Sequence, residues 1–410
     1  MDWTALMDLH GAYERSRVLH AAVAHDLFTH VAALEGQSGG LPVPGTAVAA
    51  AAGTDPRATE LVLNALAALG LLQKSAPEDP EAPLDSGGFN TAPVAQRHLV
   101  DGCDADFRPF IRFDMDSWTH WELLPDVLEE GGPAMKDHMY QSDPEATRRF
   151  IDAMESIGQA RGDARVLADR IDLGRAVHLL DVGGGAATYS LAFLSANKHL
   201  HATLIDLPNT LEVTHDHVAK APLGVRERIR LVACDYNNDD IPRPPKTSSL
   251  PDALVKDLKK LGMDDNLLPK LSEGYDIAWV SNILHGEDEE ENKALARRLF
   301  SVLRPGGRVI IKDHILDPTL TEPQVGALFA VNMLLFTKGG RNYGFDEVRR
   351  WYEDAGFVDI TEQPPKAPLT SSLVVARKPG GGLQEELSRA MKLAGEGVSG
   401  FVKSLTGRSG

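Results

Sequence analysis

The chain reads as an α/β protein: a parallel sheet preceded by a smaller, mainly α region. Three observations predict this. The run Val177-His178-Leu179-Leu180-Asp181 is apolar and ends in an acid. Gly183-Gly184-Gly185 and small helix formers follow it, in the order of buried strand, tight turn and helix start. Further apolar runs that end in acidic or polar residues recur downstream with helical patterns between them, as in successive βα units. The first hundred residues instead show short helical patterns and no such alternation. A chain of 410 residues has room for two or three domains with cores of their own.

Residues 1–100 form the first expected domain. Ser16 to Leu34 is small, apolar and helical in pattern, and Ala47 to Ala52 is alanine-rich. Gly53-Thr54-Asp55-Pro56 makes a turn with Pro56 placed at a helix start. Arg57 to Leu72 repeats leucines, Leu61, Leu63, Leu66, Leu69 and Leu72, read as one face. A proline-rich stretch and Phe89-Asn90-Thr91-Ala92-Pro93 follow like a hairpin, which completes a winged-helix pattern. Such a domain serves either DNA binding or dimerisation. The candidate recognition helix has Arg57 and little else that is basic, so the expectation is a homodimer without nucleic acid. A formal charge of -17 also opposes general affinity for nucleic acid or an anionic membrane.

Residues 101–174 read as connecting helices. Aromatics crowd Phe107 to Leu128, and Trp118, Trp121 and Met154 are candidates for an adaptable apolar substrate pocket, or for plain core. Residues 175–378 form the expected catalytic domain. After the glycine turn come a helix (Ala187 to Ala196), then His201 to Asp206, Arg228 to Asp235, Tyr275 to Ser281 and Arg308 to Asp313 as strands. Asp181, Asp206, Asp235 and Asp313 are expected in register, facing one crevice.

The acids select the cofactor. A dinucleotide fingerprint wants Gly or Ala where Thr188 stands, and Asp181 beside the turn would repel a pyrophosphate. S-adenosylmethionine (SAM) carries a sulfonium and an ammonium and no phosphate, and an acid at close range favours it. The acidic start Met1-Asp2-Trp3-Thr4 lacks the form of a signal peptide, and no apolar stretch is long enough to span a bilayer. Cys103 and Cys234 lack zinc-ligand spacing. A cytoplasmic protein with no integral membrane segment is the expectation.

Read together, Leu180-Asp181-Val182-Gly183-Gly184-Gly185, Ile205-Asp206-Leu207-Pro208, Cys234-Asp235-Tyr236, Ser281-Asn282-Ile283-Leu284-His285, Leu303-Arg304-Pro305-Gly306-Gly307 and Gly339-Gly340-Arg341 resemble one family. It is the SAM-dependent small-molecule O-methyltransferases of the plant caffeate/flavonoid type and their bacterial relatives. The resemblance implies a winged-helix dimerisation domain followed by a Rossmann-like methyltransferase domain. It places Gly183, Gly184 and Gly185 around the methionine part of SAM, Asp206 on the ribose, and Asp235 and Tyr236 by the adenine. Ser281 takes another cofactor-contacting position, His285 that of general base, and Asp313 that of an orienting carboxylate. Asn282, Phe329, Asn332, Met333 and Phe336 join the substrate candidates. The implied reaction is methyl transfer to a hydroxyl of a small, aromatic metabolite, with S-adenosylhomocysteine (SAH) as product and no metal required.

This chain departs from the family pattern at Gly286-Glu287, where relatives carry Asp-Trp, at Asn332 for aspartate and at Asn342 for a second acid. These differences motivate an alternative, SAM binding with a non-methylating reaction such as hydroxylation, decarboxylation or rearrangement. Glu287 to Glu291 reads as the acidic first turn of a helix, not a metal cluster. An insertion, residues 237–273, and an amphipathic tail helix within 379–410 lie outside the family core.

Overall fold

The computed structural model describes residues 1–76, 87–135, 141, 143–173, 176–245, 274–367 and 369–380. The tail helix and most of the insertion expected from sequence lie outside these residues. The chain forms two compact units, residues 1–121 with 149–161, and residues 122–148 with 162 onward.

In the first unit, α1 (Trp3–His10), α2 (Ala12–Ala24), α3 (Leu27–Gln37), α4 (Gly45–Ala52) and α5 (Pro56–Ala68) precede or flank a small antiparallel sheet. Its strands β1 (Val43–Pro44), β2 (Leu72–Lys74) and β3 (Gly88–Thr91) lie in the order β1-β3-β2. The helical run from Ser16 is broken where Asp26 adopts a left-handed backbone, φ 48°, between α2 and α3. Pro56 does open α5, and the Asp55 side chain accepts from the Ala58 N–H at 2.8 Å. The leucine face is corrected. Leu63 and Leu66 are fully buried, while Leu61 is 56% exposed, because residues two apart point to different sides of a helix. Leu63, Leu66, Val23, Phe28, Val31 and Phe89 make the core. The unit also contains α6 (Pro93–His98), α7 (Arg108–Trp121) and the last part of α9 (Pro144–Arg161).

The second unit is a seven-stranded sheet in the order β6-β5-β4-β7-β8-β10-β9. The strands β4 (His178–Val182), β5 (His201–Asp206), β6 (Ile229–Ala233), β7 (Tyr275–Ser281) and β8 (Leu303–Asp313) are parallel; β9 (Val358–Gln363) and β10 (Ser372–Arg377) close one side antiparallel. Both faces are covered, as a parallel sheet requires. On one face Leu179, Ile277, Trp279 and Ile310 pack with α10 (Asp163–Arg170) and α11 (Thr188–Ala196) through Leu167 and Phe193. On the other, Leu180, Val182, Val280 and Ile311 pack with α14 (Glu289–Val302) and α16 (Phe345–Asp354) through Leu295, Leu299, Val348 and Tyr352. The remaining helices are α8 (Leu124–Glu130), α12 (Pro208–Ala219), α13 (Leu223–Arg226) and α15 (Gln324–Phe336).

Arg304-Pro305-Gly306-Gly307 forms its turn inside the run assigned to β8. The pairing jumps from Tyr275↔Leu303 to Ile277↔Arg308 and resumes regularly. Five of the predicted strands are present. Their register corrects the expectation that the four acids are level. Val182 pairs with Ile205 and Val280, and Val280 with Ile311. Asp181 therefore lies two positions below Asp206, and Asp313 one position above it. Because strand side chains alternate, Asp313 belongs to the opposite face from Asp181 and Asp206.

Candidate cofactor and catalytic site

The residue level just beyond Val182 runs across five strands as Ala233, Asp206, Gly183, Ser281 and Lys312. It sits at the carboxyl edge, where β5 and β7 diverge from β4, the place at which open α/β sheets bind ligands. Gly183 and Gly185 have φ of +59° and +53°, a backbone that side chains disfavour. A Cβ on Gly183 would lie 2.5 Å from Ile283 Cδ1, and one on Gly184 2.4 Å from Leu204 Cδ1. Glycine here lets Ile283 and Leu204 pack directly on the backbone of the turn at the strand tips. Asp206 is fixed there by the N–H groups of Gly185 (2.9 Å) and Leu207 (2.8 Å), and burial raises its carboxyl. The Ser281 hydroxyl oxygen is buried without a hydrogen-bond partner among the described residues. A tight glycine turn, an anchored acceptor and an orphaned hydroxyl fit an adenosyl amino acid.

Asp181 lies beneath this turn. It is 2% exposed and accepts from the Ser190 hydroxyl of α11 at 2.6 Å. Burial, with a small addition from Asp206, pushes it up to about 7. Asp235 follows the end of β6, its oxygens accepting from the Asn237 N–H (2.9 Å) and Asn238 Nδ2 (2.7 Å). The Tyr236 hydroxyl donates to Glu287 Oε1 at 2.7 Å, and the Tyr236 ring reaches to 3.5 Å from a Cβ built on Gly183.

The other constellation is built on the tip of β8 and a 3-10 turn, Leu284–Gly286, after β7. His285 Nδ1 and Asp313 Oδ1 are 2.6 Å apart, with the imidazole 11% exposed and the carboxylate 2%. The His314 N–H also donates to Asp313, at 2.7 Å. Burial alone would raise the Asp313 carboxyl, but the charge and hydrogen bond of His285, aided by His314, hold it below the usual range. The Phe329 ring of α15 stands edge-on to His285 at 4.8 Å and tilted to His314 at 5.3 Å. With Nδ1 bound to a carboxylate, the neutral imidazole keeps its proton there and presents Nε2 as an acceptor.

Sequence reasoning missed two residues. The sequence groups Glu287 with the acidic helix start. The helix begins one residue past Asp288, whose side chain and Glu291 form a capping box, so the helix-start reading holds only from Asp288 onward. Glu287 turns instead to Tyr236 and Asn237, and burial pushes its carboxyl up to about 7. The Asp288-x-x-Glu291 spacing was the available signal. Lys312 is the other. It is 2% exposed, with Nζ 3.4 Å from Asn282 Oδ1, 3.9 Å from Asp163 Oδ2 and 5.4 Å from the Tyr189 ring centre.

The substrate candidates fall in both units. Phe329 is brought to His285; Asn332, Met333 and Phe336 continue along α15, with Met333 and Phe336 buried. Asn282, left-handed at φ +58°, touches Lys312 rather than the histidine pair. Asn342 is buried and donates to the His314 carbonyl at 2.9 Å. Trp118, Trp121 and Met154 belong to the first unit, where Trp118 stands edge-on to His20 at 6.3 Å under the Arg17 guanidinium.

A doubly covered parallel sheet with a glycine turn, an anchored strand-tip acid and a histidine–carboxylate pair defines a class: α/β enzymes that bind a nucleoside cofactor at the sheet edge. Comparison with known proteins gives the family. Residues 7–101 match the O-methyltransferase dimerisation domain, and residues 131–250 and 263–358 match the O-methyltransferase domain. The chain belongs to the O-methyltransferase family, whose members take their methyl group from SAM. It is 28% identical over 379 residues to the tetracenomycin polyketide synthesis 8-O-methyl transferase TcmO of Streptomyces glaucescens, covering 91% of this chain and 96% of that protein. It is 26% identical over 383 residues to a 3-hydroxy-5-methyl-1-naphthoate 3-O-methyltransferase of Streptomyces sahachiroi, covering 92% and 95%. Human N-acetylserotonin methyltransferase, solved with SAM, shares the fold with a TM-score of 0.74 at 19% identity, over 92% of this chain and 99% of that one. The non-methylating alternative finds no support among these relatives. Among the described residues, no helix is long and apolar enough to cross a membrane.

Proposed function

We propose that this enzyme methylates a hydroxyl on an aromatic small molecule, with His285 as general base. The hydroxyl and ring follow from the relatives, one of which is named for a hydroxynaphthoate. The observation that carries the base assignment is the 2.6 Å His285–Asp313 contact. When bound, SAM supplies an electrophilic methyl on a sulfonium. The chain's own residues do the rest. Gly183, Gly184 and Gly185 admit the amino-acid part, Asp206 accepts from the ribose hydroxyls, and Tyr236, Asp235 and Ser281 complete the cofactor contacts. Asp181 acts from below, holding α11 to the turn through Ser190.

His285 takes the acceptor's proton at Nε2 while Asp313 keeps Nδ1–H oriented and stabilises the imidazolium. The acceptor oxygen gives up its proton to Nε2 as it bonds to the methyl carbon, because an oxygen forming that bond is far more acidic than the free hydroxyl. Alignment of nucleophile, methyl and sulfur supplies the larger share of the rate. Phe329, Asn332, Met333 and Phe336 form the acceptor side next to His285. We also read residues 1–100 as the part through which two copies associate.

The test uses SAM with a labelled methyl group and a panel of hydroxyarenes. His285→Ala is expected to lower kcat by about 10²- to 10⁴-fold while leaving the SAH dissociation constant within about twofold. Equal rates for variant and parent would remove His285 as base and leave alignment as the main effect.

A further inference from the structure

We propose that Lys312 is a cofactor-binding residue that pairs with the carboxylate of the methionine end, with Asp163 beside it for the α-ammonium. The inference rests on the SAM reading above and assigns a part of the ligand that the site residues so far leave without a counter-charge.

Strand order gives the direction. Tyr236 and Asp235 follow β6, and Asp206 tips β5, so the adenosyl end occupies that side. The glycine turn follows β4. An amino-acid tail leaving the ribose must then extend away from β6, over β4 towards β7 and β8. Lys312 is on β8, on the same level and the same face as Asp206, Gly183 and Ser281. Three strand spacings separate β5 from β8, roughly 14 Å. The Lys312 side chain shortens that gap by leaning over β7, since its ammonium reaches Asn282 Oδ1 at 3.4 Å.

Charge and burial give the ligand chemistry. Removing an ammonium from water is expensive, and a buried lysine persists where anionic groups surround it. Asp163, the first residue of α10, is also buried, with Oδ2 3.9 Å from Nζ. An α-amino acid carries its carboxylate and ammonium on one carbon, so it presents two opposite charges side by side, the complement of this pair. Ser281, the neighbour of Lys312 in the pairing between β7 and β8, adds its buried, unpartnered hydroxyl oxygen to the same place. The rival account is an ion pair that only ties α10 to the sheet.

Titration calorimetry on the full chain separates them. The probes are SAH, its decarboxylated analogue, and 5′-methylthioadenosine, which lacks the whole amino-acid end. Lys312→Met should weaken SAH by about 10- to 100-fold, the scale of one lost charge-assisted contact, and leave methylthioadenosine unchanged. Lys312→Arg should recover much of the SAH affinity, and Asp163→Asn should show the same selectivity for SAH. If Lys312→Met does not fold, the parent decides: it must bind SAH more tightly than the decarboxylated analogue. Equal weakening of SAH and methylthioadenosine by the variant, no weakening, or equal parent affinities for SAH and its decarboxylated form overturns the assignment. Failure of the parent to bind either SAH or methylthioadenosine is a different result, and removes the cofactor reading itself.

Discussion

At the scale of single residues, acids held away from water contribute to the response to pH, Asp181 and Glu287 among them. Asp181 and Glu287 both have burial as the main cause of a carboxyl pushed up to about 7. Each keeps its proton in the native state over a range where the unfolded chain has lost it. Below the unfolded value near 4 both states are protonated and the full contribution to stability is present. As pH rises through the folded value the native state must ionise a buried acid, and stability falls. Asp181→Asn cannot ionise, and its amide oxygen still accepts from Ser190. Thermal melts at about pH 5 and about pH 8 should therefore show a smaller drop for the variant than for the parent, with Glu287 accounting for part of what remains. Parallel drops would mean that Asp181 is ionised throughout. Asp313 behaves in the opposite sense: its carboxyl is held low, so its contribution is present at neutral pH and lost as pH falls.

At the scale of elements, the strands were legible because buried parallel strands are written as continuous apolar runs, and the turn because glycine was repeated where a left-handed backbone is needed. Gly183→Ala tests that reading. An alanine at φ +59° would cost about 1–2 kcal/mol from the left-handed backbone alone, and its methyl would press on Ile283. Denaturant melts should register a loss of at least that size, with weaker SAH binding; unchanged stability and binding would mean that the turn accepts side chains. What the sequence did not carry was register. Asp181 and Asp206 look equivalent as strand-end acids, but the pairing of Val182 with Ile205 leaves one beneath the turn and the other at the tip. Lys312 next to Asp313 read as a strand end. Only the pairing with Ser281 puts it on the level of Gly183 and Asp206, and Asp313 on the histidine side. Glu287 was hidden for a local reason: it is continuous in sequence with acids that cap a helix, and one residue of offset turns it to Tyr236.

At the scale of the whole molecule, the first unit exposes apolar surface that its own core does not use. None of the eight residues of α1 is buried, yet it carries Trp3, Leu6, Met7 and Leu9, with Trp3 73% exposed. A helix of this length gains little from its own hydrogen bonds in water and depends on packing to form. Tyr13, Leu41 and Leu61 add exposed apolar side chains within the same unit. Residues 7–101 match a dimerisation domain, and we propose a second copy as the occupant of this surface, which begins at Trp3 just before the match. Light scattering on the purified chain should give about twice the single-chain mass of 44.4 kDa. Replacing Trp3 and Leu9 together by aspartate should shift that mass towards one chain without changing the helical signal by circular dichroism beyond α1. A parent that scatters as a single chain at micromolar concentration would show that the match has kept the domain and lost the association. A double variant that stays paired would place the contact on α2 to α5 instead.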